Sequence, residues 1–195
     1  MPRILVVCTA NVCRSAYAGM LLAHRLAVRV GEPWVVTSAG TLAVAGQSVC
    51  PVVLERMERE QLKDEALVHE SRRLDHDMVR RADLILTADT SHRSSVARLD
   101  AQATRRTFTM LEAVKLGALL PAPVGAGRSA GPLSDLVGEL HSARPRLVLP
   151  PSHRRHRSPL DIEDGHNISG IAHSSALRQV HDTVDRLVEL LAVAS

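Results

Sequence analysis

The chain has 195 residues, enough for one α/β domain with a sizeable core, and its 45% of apolar residues excludes a disordered polypeptide. A formal charge of +3, with ten histidines uncounted, suits anionic ligands but does not argue for nucleic acid, and no nucleic-acid partner is expected. Three cysteines, an odd number, argue against a disulfide framework; no signal peptide precedes the first apolar run and no run is long enough for a membrane span, so a reducing cytoplasm is the expected setting.

Arg3 to Val7 reads as a buried strand, because Ile4-Leu5-Val6-Val7 is a run of branched apolar residues. A loop of small and polar residues follows, and then a helix from Ser15 to Val30 with Ser15 as its N-cap and Gly31-Glu32-Pro33 as its end. A loop between a strand and a helix N-terminus directs backbone N–H groups at one spot, and such spots bind phosphate. Cys8 opens this loop and Arg14 closes it, with five residues between them. N–H dipoles and a guanidinium favour a thiolate at Cys8, and Arg14 can fork two oxygens of a phosphate dianion. The predicted phosphate-binding residues are Thr9, Ala10, Asn11, Val12, Cys13, Arg14 and Ser15. A nucleophile within a phosphate cradle implies phosphoryl transfer through a cysteinyl-phosphate. Asn11 suits a left-handed backbone position and its amide can tie the loop to its neighbours, while Ser15 can donate to the thiolate.

Trp34 to Ser38 reads as the second strand, with Ser38-Ala39-Gly40-Thr41 as a turn of small residues. Cys50 to Lys63 reads as a helix, Ala82 to Thr87 as the third strand, and Asp89 to Leu99 as a helix capped by Asp89. Arg106 to Leu111 is the fourth strand, running into a helix from Glu112 to Leu116. Strands alternating with helices predict a four-stranded parallel sheet with helices on both faces, with the cysteine loop at the carboxyl end of the first strand. From 117 to 159 the pattern breaks into a Pro/Gly/Arg-rich insertion, read as a mobile loop within a single domain spanning 1–195. Within it Leu133 to Leu140 can form one helix, and His153 to Arg157 is a basic run that could steer acidic substrates. Leu177, Val180, Val184, Leu187, Val188 and Leu191 recur at helical spacing in a final helix, Ala172 to Val193.

Val7-Cys8-Thr9-Ala10-Asn11-Val12-Cys13-Arg14-Ser15 resembles the signature of the low-molecular-weight protein tyrosine phosphatases, and the Ser38-Ala39-Gly40-Thr41 turn also recurs in that family. The resemblance covers roughly Arg3 to Leu116 and Ser158 to Leu191 and implies a flavodoxin-like phosphatase fold. It implies a metal-independent phosphatase with no cofactor and no metal ligands, acting on a phosphorylated protein or a small phosphoester. An aryl phosphate needs a proton on its leaving oxygen. The family supplies it from an aspartate before the last helix, and Asp164 matches that residue while Asp161 matches an earlier aspartate. Cys8, Arg14 and Asp164 are thus the implied catalytic residues, with Asp161 the alternative acid. The second loop cysteine, Cys13, is expected to trap an oxidised Cys8 as a disulfide.

The chain departs from the family at several pocket positions. Ala10 stands for a glycine, Ala16 for a proline at the first helical turn, and Gly165 for the proline after the acid, which frees that loop. His166-Asn167-Ile168 replace aromatic residues that commonly follow, and Leu42-Ala43-Val44-Ala45 stand where an aromatic wall residue is often found, so ring stacking should be weaker. A phosphoprotein-binding module with weak turnover is therefore the alternative reading. An arginine phosphatase is disfavoured because that branch tends to carry threonine where Val12 stands. An arsenate reductase is disfavoured because Cys50 lies in a different region from the cysteines that chemistry needs. His92 recurs in the family's equivalent helix but is read here as a surface histidine.

Overall fold

A computed structural model of the chain describes residues 1–31, 34–121, 132–149, 158–166 and 168–192. Strands β1 (Arg3–Cys8), β2 (Val35–Gly40), β3 (Leu84–Thr87) and β4 (Thr107–Thr109) form one sheet in the order β2-β1-β3-β4, every pair parallel. Helix α1 (Arg14–Val30) follows β1; α2 (Pro51–Arg59), α3 (Lys63–Leu67) and α4 (His76–Arg81) lie between β2 and β3. Helix α5 (Thr90–Leu99) follows β3, and α6 (Met110–Gly117), α7 (Leu133–Ala143) and α8 (Gly170–Leu191) complete the fold.

Both faces of the sheet are covered, as strands with apolar residues at successive positions require. Ile4, Val6, Leu84 and Leu86 face one cluster with Leu21, Leu22, Leu26 and the buried stripe of α8, whose six residues of helical spacing are all buried. Leu5, Val7 and Ile85 face a second cluster with Val79 and Val96 from α4 and α5. Each leucine or isoleucine so buried contributes about 1.5–3 kcal/mol.

Several boundaries differ from expectation for local reasons. Ser38 to Gly40 is strand and not turn, because Ser38, Ala39 and Gly40 pair with Val6, Val7 and Cys8. The single helix expected from Cys50 to Lys63 breaks at Glu60, and a left-handed Gln61 separates α2 from α3. The N-cap of α1 is Cys13, not Ser15; Ser15 is already helical and its hydroxyl is turned to other partners.

The insertion read as a mobile loop carries α7, whose Leu133, Leu136, Val137, Leu140 and Ala143 are buried. Just beyond it Arg144 donates to Glu112 Oε1 at 3.0 Å and lies over the Phe108 ring, 4.3 Å from its centroid. Glu112 is buried in the capping box of α6 with Thr109 and also takes Arg93 at 2.9 Å, so the insertion is tied to a carboxylate inside the domain. The basic run His153 to Arg157 lies outside the described residues. Among the described residues no helix is long and apolar enough to cross a membrane.

Candidate active site

The loop between β1 and α1 stands at the carboxyl end of the two central strands, where open parallel sheets bind ligands. Among the described residues, the backbone N–H groups of Thr9, Ala10, Asn11, Val12 and Cys13 donate to no protein acceptor. Successive free amides ahead of a helix N-terminus form an anion cradle. Asn11 has φ of 58°, the left-handed geometry its sequence suggested. Its amide fastens the loop: Nδ2 donates to Ser15 Oγ at 3.0 Å and Ser38 Oγ at 2.9 Å, and Oδ1 accepts from the Arg72 N–H at 2.9 Å. The Asn11 carbonyl accepts from His69 Nε2 at 2.8 Å, and burial lowers the His69 pKa. At Gly40 an added Cβ would stand 2.5 Å from the Thr9 carbonyl oxygen, so only glycine lets β2 close against the loop.

Cys8 is buried at the end of β1 with Ser15 Oγ 3.0 Å from its sulfur. Because Asn11 donates to Ser15, the serine proton is left for Cys8 or for the Ala39 carbonyl 3.3 Å away. Arg14 is buried and spreads its guanidinium over four partners. Nη1 donates to the Ile162 carbonyl at 2.9 Å and reaches Asp89 Oδ2 at 3.4 Å; Nη2 donates to Thr9 Oγ1 at 3.1 Å and to Asp164 Oδ2 at 2.6 Å. Residues far apart in the chain thereby meet at one guanidinium.

The two aspartates of the loop before α8 are separated by geometry. Asp161 Oδ1 accepts from the Thr90 N–H at 2.9 Å and its other oxygen from the Ser158 N–H at 3.3 Å, so its carboxylate is spent on backbone donors. Ile162, fully buried, bonds through its N–H to the Ala88 carbonyl and anchors the segment. Asp164 keeps 42% of its side chain exposed while touching Arg14. Gly165 does not free the loop. It is buried against the start of α8, where an added Cβ would lie 2.4 Å from the Ala172 carbonyl and 2.5 Å from the His173 nitrogen.

His92 is not a surface histidine. It is only 2% exposed, with Nε2 2.9 Å from Thr9 Oγ1 and Nδ1 3.0 Å from Asp89 Oδ1. Asp89 caps α5 as expected and also faces Arg14. Burial by itself would raise the Asp89 carboxyl, but the bonds and charge of His92, with the Ser91 bonds, hold it well below the usual carboxylate range. The Asp89–His92 spacing at a helix start puts both on one face, and that was the available signal for this support of Thr9 and Arg14.

Leu42 and Val44, at the family's wall position, are each 65% exposed. The thiol of Cys13 faces Cys50 Sγ at 2.8 Å and His166 Nδ1 at 3.1 Å, not Cys8. Cys50, remote in sequence, is therefore adjacent to the loop. The hydrogen bond between these two thiols raises the Cys13 pKa and lowers that of Cys50 to about 6: the pair gives up a first proton readily and holds the second.

A family model of the low molecular weight phosphotyrosine protein phosphatases matches residues 3–122. The protein-arginine-phosphatase of Bacillus subtilis (strain 168) is 32% identical over 111 residues, covering 57% of this chain and 71% of that protein. A low molecular weight protein tyrosine phosphatase from T. tengcongensis superposes with a TM-score of 0.66 at 21% identity, over 97% of this chain and 99% of that one. The YwlE arginine phosphatase from Geobacillus stearothermophilus gives a TM-score of 0.66 at 21% identity, over 98% and 93%. At these identities the structural likeness speaks for the fold.

Proposed function

This chain belongs to the low molecular weight phosphotyrosine protein phosphatase family, and from that premise we propose that it hydrolyses phosphotyrosine in proteins, or a related small phosphoester, through a cysteinyl-phosphate. The observation that carries the reading is the row of free amides from Thr9 to Cys13, bounded by the Cys8 thiol and by an Arg14 guanidinium in contact with Asp164. In the proposed reaction the Cys8 thiolate attacks phosphorus, forming an S–P bond as the P–O bond to the leaving group breaks. Arg14 and the loop amides hold the equatorial oxygens, where negative charge gathers. The Asp164 carboxyl gives its proton to the leaving oxygen. Its carboxylate then takes a proton from water, which attacks phosphorus, frees phosphate and restores Cys8. The positive charge this route needs comes from the protein's own guanidinium and dipoles, so it calls for no metal. Ser15, 3.0 Å from the sulfur, supports the leaving thiolate in the second step.

A second substrate reading has its own support. Asp89, Asp161, Glu163 and Asp164 line one cleft beside Arg14, with no aromatic side chain among its lining residues. Such a cleft could hold the guanidinium of a phosphoarginine, the substrate named for the Bacillus subtilis relative. Val12 weighs toward tyrosine. Turnover of matched phosphotyrosine and phosphoarginine peptides without added metal decides between them. Turnover of neither, with phosphate still bound, would leave a phosphoprotein-binding module.

A further inference from the structure

Cys13, Cys50, His166 and His173 come from four separate parts of the chain. Cys13 is the N-cap of α1, Cys50 the N-cap of α2, His166 follows the candidate acid, and His173 lies in the first turn of α8. Their donor atoms nevertheless all lie within 4.8 Å of one another. Cys13 Sγ is 2.8 Å from Cys50 Sγ and 3.1 Å from His166 Nδ1, and Cys50 Sγ is 3.5 Å from His173 Nε2. The two imidazoles meet edge to face, with centroids 5.0 Å apart. Neither thiol caps its helix by a side-chain bond, and among the described residues each imidazole has only a sulfur as hydrogen-bond partner. Four donors are thus brought together with little else to bond.

We infer that these four side chains form a structural zinc site. Two sulfurs and two imidazole nitrogens are the set that tetrahedral zinc selects. At ordinary zinc–ligand lengths the sulfurs would stand about 3.8 Å apart and each sulfur–nitrogen pair about 3.5 Å. The Cys13–His166 and Cys50–His173 pairs, at 3.1 and 3.5 Å, are already near that spacing, the other pairs lie within 4.8 Å, and the sulfurs need to part by about 1 Å. Cys13, Cys50 and His173 are buried while His166 is exposed, so three ligands are held in place and the fourth lies on the solvent side, where the ion can reach the site. Binding releases the two thiol protons to solvent and joins the ion to two thiolates and two neutral imidazoles.

The ion would fasten the phosphate loop, the start of α2, the acid loop and the start of α8 to one point. His166 is two residues from Asp164, so the site fixes the acid loop where the family's proline and aromatic residues are missing. It also holds Cys13 away from Cys8. The ion takes no part in phosphoryl transfer, and the site stands whether or not the chain is a phosphatase.

The test is a titration of the full-length, reduced, metal-free protein with cobalt(II), followed by zinc(II). One equivalent of cobalt should give the visible bands of tetrahedral coordination and a thiolate-to-cobalt charge-transfer band, and one equivalent of zinc should abolish both. Cys8→Ser should titrate as wild type. Cys50→Ser and His173→Gln should bind at least about 100-fold more weakly, since losing a ligand outright exceeds the 10–100-fold cost of disturbing a ligand's supporting contacts. Zinc should raise the melting temperature of wild type and Cys8→Ser but not of Cys50→Ser, a readout that also shows whether each variant is folded. A wild-type protein without tetrahedral bands overturns the inference. So does cobalt binding that is lost in Cys8→Ser and kept in Cys50→Ser, since the ion would then sit on the reactive thiol.

Discussion

Arg14 Nη2 donates to Asp164 Oδ2 at 2.6 Å, a contact across 150 positions of sequence that joins the phosphate loop to the loop before α8. The same guanidinium holds the Ile162 carbonyl, so the arginine positions the acid loop as well as facing the anion site. Arg14→Lys removes the planar fork that makes both contacts possible. Turnover of an aryl phosphate should fall by about 10²–10³-fold, the usual loss when a preorganised donor to the transition state is removed. A lysine variant with near wild-type kcat would separate the guanidinium from catalysis.

Asp164 and Asp161 make opposite predictions. Asp164→Asn should lower kcat on phosphotyrosine by about 10²–10⁴-fold, the range for lost general-acid help, and less on an aryl phosphate whose leaving group is a weak base. Asp161 bonds the Thr90 and Ser158 N–H groups, so Asp161→Asn should act mainly on stability, at about 1 kcal/mol in urea unfolding, with a mild effect on rate. The reverse pattern would move the acid to Asp161.

Gly165→Ala distinguishes a free loop from a pinned one. In a free loop, alanine would stabilise the protein by about 0.4–1 kcal/mol through the unfolded chain. Against the Ala172 carbonyl, 2.4 Å from the added Cβ, it should instead destabilise by about 1–3 kcal/mol and lower kcat by displacing Asp164. Urea midpoints and initial rates on one preparation give both numbers.

The Asp89 carboxyl is held below its unfolded value of about 3.9, so its stabilising effect is complete above that pH and is lost as pH falls toward the folded value. Asparagine keeps the helix cap and removes the charge. The stability gap between wild type and Asp89→Asn should therefore be widest near neutrality and shrink below about pH 4. A gap independent of pH would mean that the cap, and not the charge beside His92 and Arg14, is what Asp89 contributes.

Arg144→Ala should cost about 1.5–3 kcal/mol, the worth of hydrogen bonds to a charged group, because it removes one of the two arginines that hold the buried Glu112, leaving Arg93 and the Thr109 N–H. Limited proteolysis should then cut near α7 sooner than in wild type. An unchanged cleavage pattern would mean that the buried leucines of α7, not Arg144, hold the insertion.

What the sequence disclosed was what lies contiguous in it. Cys8, Asn11, Arg14 and Ser15 sit within eight residues, and the strand–loop–helix context gives them meaning. The apolar stripe of α8 and the Asp89 cap are likewise local patterns. What it hid joins distant positions: His92 beneath Thr9, Arg144 on Glu112, and the cluster of Cys13, Cys50, His166 and His173. No spacing rule links such residues before the chain folds. Gly165 misled for a related reason, since freedom in a chain becomes close approach once α8 packs against it.

In the proposed reaction everything turns on the Cys8 sulfur carrying the phosphoryl group. The most direct measurement follows a phosphotyrosine peptide without added metal, using wild type and Cys8→Ser side by side, with inorganic phosphate binding measured on both. Wild type should release phosphate rapidly, Cys8→Ser none above background, and the serine variant should still bind phosphate through Arg14 and the loop amides. Turnover by Cys8→Ser at a rate near wild type would contradict that role of the sulfur.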